Sequence, residues 1–283
     1  MLKADAPTLS SLVRDATERL SGAGVASGRW EAERLVAHAL GVEWGDIWVR
    51  LREGAGKETA QRLDGFVERR AAGEPLAYIL CSTIFYGREI AVGPGVLVPR
   101  PETETLVEAA LELVADIADP RIVDVGCGSG AIAIAIAFER SGAEVWGTDI
   151  SERALEWAEL NVRSAGVDVR LVGGDLFDGV PASMKGSFDL VVSNPPYIAD
   201  GFDLPPDVSA EPAQALFAGS NGADVLLRLV DHGVEWLNGS GALALEVGTP
   251  DQALFVAGAL ASWSEVSVRD DRAGRPRVVT ARR

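Results

Sequence analysis

Between Arg121 and Leu260, five short apolar runs alternate with helix-like stretches, and this alternation limits the possible folds more than any other feature. The runs are Arg121–Val125, Glu144–Asp149, Asp168–Val172, Phe188–Ser193 and Ala242–Val247. Ala131–Phe138 is an apolar helix, Ser151 caps a helix reaching Ala165, and Ala223–Leu237 and Asp251–Leu260 read as two more. Val266–Val268 and Val278–Thr280 close the chain as antiparallel strands. Strand–helix alternation of this kind predicts an α/β fold, a doubly wound, mostly parallel sheet of seven strands with helices on both faces. Ligands of such sheets bind outside the carboxyl ends of the strands, so the residues following each strand are where chemistry is sought.

Four strand ends carry it. After the first strand comes Asp124-x-Gly126-Cys127-Gly128-Ser129-Gly130, a turn that must reverse sharply and let backbone approach a ligand. Its glycines recur every second residue, unlike a dinucleotide turn, and no Lys-Ser/Thr pair follows for a phosphate. Asp149 ends the second strand, where an acid can hold a ribose diol. Asp175 and Leu176 follow the third, placed to edge an adenine. Ribose and adenine without phosphate suggest S-adenosylmethionine. The fourth strand ends in Asn194-Pro195-Pro196-Tyr197. Two prolines stiffen this segment and remove two backbone donors. Taken alone, the four residues are equally compatible with a strand-terminating turn.

Ahead of the sheet, residues 1–73 read as four short amphipathic helices: one through Leu9, Val13 and Leu20, one capped by Ser27 and ended by Gly41, one around Trp44–Leu51, and one from Glu58 to Ala72. Residues 74–99 read as a linker containing a β-hairpin, with Ile84–Tyr86 and Glu89–Val92 flanking Gly87-Arg88. Residues 100–283 form the alternating domain, and Pro101, Glu102 and Glu104 suit the start of its first helix. His38 and His232 have no partner cluster and read as structural, and Arg69-Arg70 reads as a solvated face.

The 283 residues include 26 basic and 42 acidic ones, a net charge of −16 that argues against a phosphate backbone as partner. Cys81 and Cys127 offer neither a disulfide framework nor metal-ligand spacing, and no metal is expected. The chain has no long apolar run and no signal-peptide pattern at its start, so a cytoplasmic protein without membrane contact, and a monomer, is expected.

The glycine turn, Asp149 and Asn194–Tyr197 resemble a Rossmann-like S-adenosylmethionine-dependent methyltransferase. Enzymes with Asn-Pro-Pro-Tyr methylate planar nitrogens, either adenine N6 or glutamine amides. Glu74–Leu80, Gly93–Glu104 and Gly274–Val279 are similar to the glutamine N5-methyltransferases that modify peptide chain release factors, and the resemblance covers essentially the whole chain. Cys81 stands where that family leads one to expect glycine, and Leu176 where an aromatic residue is common.

The resemblance implies methyl transfer to the glutamine of a Gly-Gly-Gln motif in class I release factors. S-adenosylhomocysteine would be the product, and the helical segment would dock the protein substrate. It implies cofactor contacts from Gly126, Cys127, Gly128, Ser129, Gly130, Asp149, Asp175, Leu176 and Asn194. Substrate contacts would come from Asn194, Pro195, Pro196 and Tyr197, with Asn194, Pro195 and Tyr197 catalytic. An amide nitrogen is a poor nucleophile. The Asn194 oxygen and the Pro195 carbonyl can accept its two N–H groups, and the Tyr197 ring can pack on its plane. The irregular stretch Ile198–Gly222 is long enough to shape substrate entry, with Glu211-Pro212 as a fixed point. Two other readings stand beside this one: an adenine-N6 nucleic-acid methyltransferase, and a binding protein with a decayed site.

Overall fold

The computed structural model describes residues 7–283. Residues 1–6 of the expected helical segment lie outside the described residues. Two compact units result. One runs up to Cys81 and also takes in Leu204–Ala210; the other comprises Ser82–Asp203 and Glu211–Arg283.

The first unit packs the helices Leu9–Gly22, Gly28–Leu40 and Lys57–Ala71 around Leu20, Leu35, Val36, Leu63 and Val67. The Thr8 side chain caps the first helix by accepting from the Ser11 N–H, and left-handed Gly41 ends the second. The stretch Trp44–Arg50 is a 3₁₀ turn followed by a single helical turn. Within the stretch expected as linker, Pro75 caps a further helix, Leu76–Leu80. His38 packs on the Phe66 ring at 5.0 Å, and burial, with Arg62 and Arg69 nearby, lowers its pKa. Arg70 departs from the expected solvated face. It is buried, it donates through Nε and Nη2 to Glu31 at 2.5 and 3.2 Å, and its Nη2 also meets Asp207 at 3.1 Å. A guanidinium fork with this many acceptors can be buried where a lysine could not.

The second unit opens with an antiparallel hairpin, β1 (Ser82–Phe85) and β2 (Arg88–Ala91). Its turn falls at Tyr86-Gly87, one residue earlier than the sequence suggests, and both residues have positive φ. The seven-stranded sheet follows: β3 (Arg121–Val125), β4 (Glu144–Asp149), β5 (Val169–Gly173), β6 (Phe188–Ser193), β7 (Leu237–Glu246), β8 (Ser264–Asp270) and β9 (Pro276–Arg282). The spatial order is β5-β4-β3-β6-β7-β9-β8, parallel from β5 to β7 and antiparallel through β9 and β8. After β3 the chain winds outward through β4 and β5, then crosses back to place β6 on the other side of β3. The crevice between the ends of β3 and β6 is therefore the switch point where such folds bind ligands. One face of the sheet packs Val123, Phe188, Val191, Leu243 and Val279 against Leu226, Leu229, Trp236 and Val256 of the helices Asp224–Trp236 and Pro250–Ala259. The helix Ala131–Glu139 is buried from Ala131 to Ile136, consistent with a sequence that is apolar up to Phe138. Among the described residues, no helix is long and apolar enough to cross a membrane, and no cluster of His, Cys, Asp or Glu could hold a metal ion.

Candidate active site

At the end of β3 the chain makes the glycine turn, with Gly126, Gly128 and Gly130 all at positive φ. A side chain at any of the three would be strained. At Gly126 a Cβ would meet no atom within 4 Å, so the backbone there borders open space. The turn is held from below. Asp124, fully buried, accepts the Ala133 N–H at 3.1 Å, and burial lifts its carboxyl to about 8. It is held from the side by Asp149, which accepts the Gly128 N–H and the Ser151 N–H, both at 2.8 Å. Burial raises the Asp149 pKa against the Ser151, Gly128 and Ile150 N–H groups, and with about four lone-pair sites on its two oxygens the carboxylate keeps accepting capacity for a ligand. Asn161 on the helix Glu152–Ala165 is a third support. It donates to the Ser129 and Ala91 carbonyls at 2.9 Å and accepts from the Ala91 N–H at 2.8 Å, tying the turn to β2.

These features enclose a cavity of about 350 Å³. Gly126, Cys127, Gly128, Ser129, Asp149, Asp175, Leu176, Asn194, Pro195 and Pro196 line it, so most of the residues singled out in the sequence converge. Two do not reach its surface. Gly130 sits behind the turn as the cap of the helix Ala131–Glu139. Tyr197 lines a neighbouring open depression with Ile198, Phe202, Gln252 and Phe255. Leu176 has φ +52, an uncommon conformation for a branched side chain, at the cavity wall. The Arg228 guanidinium at the rim is paired with Asp175 at 2.7 Å.

Asn194 leaves β6 with Ser193 anchored behind it, the Ser193 hydroxyl donating to the Val125 carbonyl at 2.6 Å. Asn194 Nδ2 donates to Thr103 Oγ1 at 3.1 Å. The Tyr197 hydroxyl donates to Glu246 Oε1 at 3.3 Å, and burial first, then the Glu246 charge, raise the phenol's pKa. Gln252 fixes the Tyr197 backbone: its Nε2 donates to the Tyr197 and Gly222 carbonyls at 2.8 and 3.0 Å. The wall opposite comes from the stretch after Asn194–Tyr197. Glu211, 5% exposed, accepts the Val98 N–H at 3.1 Å and an Arg100 N–H at 2.5 Å, while Pro212, Gln214 and Phe217 line the cavity. Thr103, Asn161, Glu246 and Gln252 were not picked out from sequence. Glu246 carried a usable signal, since it is the one acid in the apolar run Ala242–Val247 and ends its strand as Asp149 does.

A parallel sheet with its switch-point crevice floored by a glycine turn, an acid ending the next strand and Asn-Pro-Pro-Tyr on the far lip defines a Rossmann-like class I methyltransferase. The solved catalytic domain of hMettl16 in complex with MAT2A 3′UTR hairpin 6 shares this fold, with TM-score 0.57 and 14% identity over 75% of this chain and 82% of that one. Residues 11–80 match the PrmC N-terminal domain and residues 103–223 the methyltransferase small domain. The release factor glutamine methyltransferase of Corynebacterium glutamicum is 38% identical over 98% of this chain and 99% of its own. That of Deinococcus radiodurans is 39% identical over 97% and 98%. The chain belongs to the release factor glutamine methyltransferase family.

Proposed function

We propose that the protein transfers a methyl group from S-adenosylmethionine to the side-chain amide nitrogen, N5, of the glutamine in the Gly-Gly-Gln motif of class I release factors. The observation that carries this reading is the placement of Asn194 and Pro195 on the cavity shared with Gly126–Ser129 and Asp149. The cavity suits that cofactor. Its one lining cation, Arg228, is neutralised by Asp175, so it offers no free positive charge to a phosphate, while the Asp149 lone pairs can accept ribose hydroxyls. Ile150 and Leu176 supply apolar surface for a purine, and Gly126 leaves room for the ligand to touch backbone.

When bound, S-adenosylmethionine supplies a methyl group on a sulfonium that is its own leaving group. What the chain must do is orient the acceptor. Asn194 Oδ1 and the Pro195 carbonyl accept the two N–H groups of the glutamine amide, which turns the nitrogen lone pair towards the methyl and stabilises the developing positive charge. Pro195 and Pro196 carry no N–H that could compete as donors. Tyr197, anchored at both its hydroxyl and its carbonyl, braces the segment from outside the cavity. The wall from Glu211 to Phe217 shapes the entry. The helical unit is assigned the docking of the protein substrate, since it exposes Trp30, Trp44 and Trp48, residues of the type that anchor interfaces.

The test is one labelled-cofactor assay offering release factor and duplex DNA side by side, run on the wild type and on Asn194→Ala. Label should enter release factor only, and Asn194→Ala should lose at least about 100-fold in kcat while still binding cofactor. Label on DNA alone, or a variant with normal turnover, refutes the reading.

A further inference from the structure

An asparagine side chain has one accepting end and one donating end of nearly the same shape. For Asn194 to receive a substrate N–H, the oxygen must face the cavity, and some group must enforce that choice. Thr103 lies against the other end, accepting from Nδ2 at 3.1 Å. A hydroxyl has a single proton, so Thr103 can be relied on as an acceptor only if that proton is committed elsewhere. The Thr103 hydroxyl also faces the Glu246 carboxylate at the end of β7, where it stabilises the ionised form. Glu246 is 1% exposed; its Oε1 takes the Tyr197 hydroxyl at 3.3 Å, and its buried Oε2 has no hydrogen-bond partner. The carboxylate is thus short of donors, and the Thr103 proton is drawn to it.

We propose that Glu246, acting through Thr103, is the positioning residue that fixes which end of the Asn194 amide faces the methyl acceptor. An ionised Glu246 accepts from Thr103, Thr103 accepts from Nδ2, and Oδ1 is left to the substrate. A neutral Glu246 can donate to Thr103. The Thr103 proton then turns towards Asn194, favouring Oδ1 on that side and placing the amide donors in the cavity, where they repel the substrate N–H groups. The same carboxylate holds the Tyr197 hydroxyl, so one group sets both ends of Asn194–Tyr197. The groups facing it are Thr103 and Glu102 from the turn Pro101–Thr103, Tyr197 after β6, and Arg277 on β9, itself 3.6 Å from Asp271. Burial lifts Glu246 to about 7, against the Thr103 hydrogen bond and the Arg277 charge that hold it down. The orientation of Asn194 is therefore set in the neutral range.

The inference rests on the role given to Asn194 above, and the experiment separates the two. Thr103→Val keeps shape and removes the relay. It should lower kcat on release factor about ten-fold, with the cofactor Kd and the substrate KM within two-fold of wild type, because misplacing one reacting group costs turnover more than binding. Thr103→Ser should restore kcat. The wild-type kcat should fall below about pH 7, and Glu246→Gln, which cannot titrate, should lose that acid limb. A second readout needs no turnover: the Asn194 side-chain amide resonance of the full chain should shift with a midpoint near pH 7 in the wild type and stay flat in Glu246→Gln. Should Thr103→Val melt early, the resonance titration and the Glu246→Gln profile decide. Wild-type turnover with an unaffected Thr103→Val, or an Asn194 resonance with the same titration in both proteins, overturns the inference alone. A wild type that methylates no release factor overturns the proposed activity and this inference with it.

Discussion

At the scale of single residues, the strand-end positions were legible because their chemistry is local. Asn194, Asp149 and the glycines each follow a strand that can be recognised from a few neighbours, and the rule for α/β sheets says where their side chains go. Their partners were less legible, because Thr103 is 91 residues from Asn194 and Glu246 is 49 from Tyr197. Only the fold reveals such pairings. Cys81 shows the same division. The family resemblance marks it as the place of a glycine, and the structure gives the reason, φ +62 at the end of the helix Leu76–Leu80. A side chain in the left-handed region costs roughly 1–2 kcal/mol, part of which glycine returns as extra freedom in the unfolded chain. Cys81→Gly is therefore expected to raise the unfolding free energy by about 1 kcal/mol, read as a higher urea midpoint with an unchanged slope. A midpoint that falls would mean that the thiol's 3.8 Å contacts with the Tyr78 and Ile79 carbonyls outweigh the strain.

At the scale of elements, alternation placed every strand of the sheet, while the edges of elements moved by a few residues for identifiable reasons. The helix Asp224–Trp236 passes directly into β7 at Leu237 without a turn residue between them. The sequence suggests a later start because Gly239 and Gly241 read as loop. The stretch expected as linker also holds a helix, Leu76–Leu80, with Pro75 at its start. The connection between elements that matters most to the site is Asn161, polar, 3% exposed and on a helix that the sequence marks only by its cap and its end. Its three hydrogen bonds hold the glycine turn to the hairpin. Asn161→Ala leaves the buried Ser129 carbonyl and both half-buried Ala91 backbone groups without this partner, at about 1–3 kcal/mol for the buried one and less for the others. The expected outcome is a cofactor Kd raised about ten-fold by calorimetry and a kcat at saturating cofactor within about two-fold, since the Asn194 side of the crevice is untouched. A variant that loses kcat and keeps its Kd would show that the turn does not depend on this tie.

At the scale of the whole molecule, the sheet and its crevice followed from the sequence, but the composition of the two units did not. The chain after Asn194–Tyr197 returns to the helical unit for Leu204–Ala210, held there by an Arg70–Asp207 pair 137 residues apart, and no local pattern announces such a return. Burial has a further consequence at this scale. Asp124 and Glu246, raised to about 8 and about 7, both lie far above the ordinary carboxylate range. Between about pH 4 and those values the native protein keeps protons that the unfolded chain has released, so the unfolded state binds fewer protons and stability falls as pH rises. Each group contributes a slope approaching roughly 1.4 kcal/mol per pH unit inside its window and none above its native pKa. Asp149, also raised by burial, adds to the decline, whereas Glu74 and Glu144, held low by Arg69 and Arg121, act in the opposite sense at acid pH, and His38, lowered by burial, does so up to its ordinary value of 6.5. Urea midpoints of the cofactor-free protein should therefore decline from about pH 6.5 to about pH 8.5. Glu246→Gln should decline less, because one of these titrations is gone. A flat profile in the wild type would mean that both carboxyls are ionised inside the fold, and the neutral-range control of Asn194 would lose its physical basis.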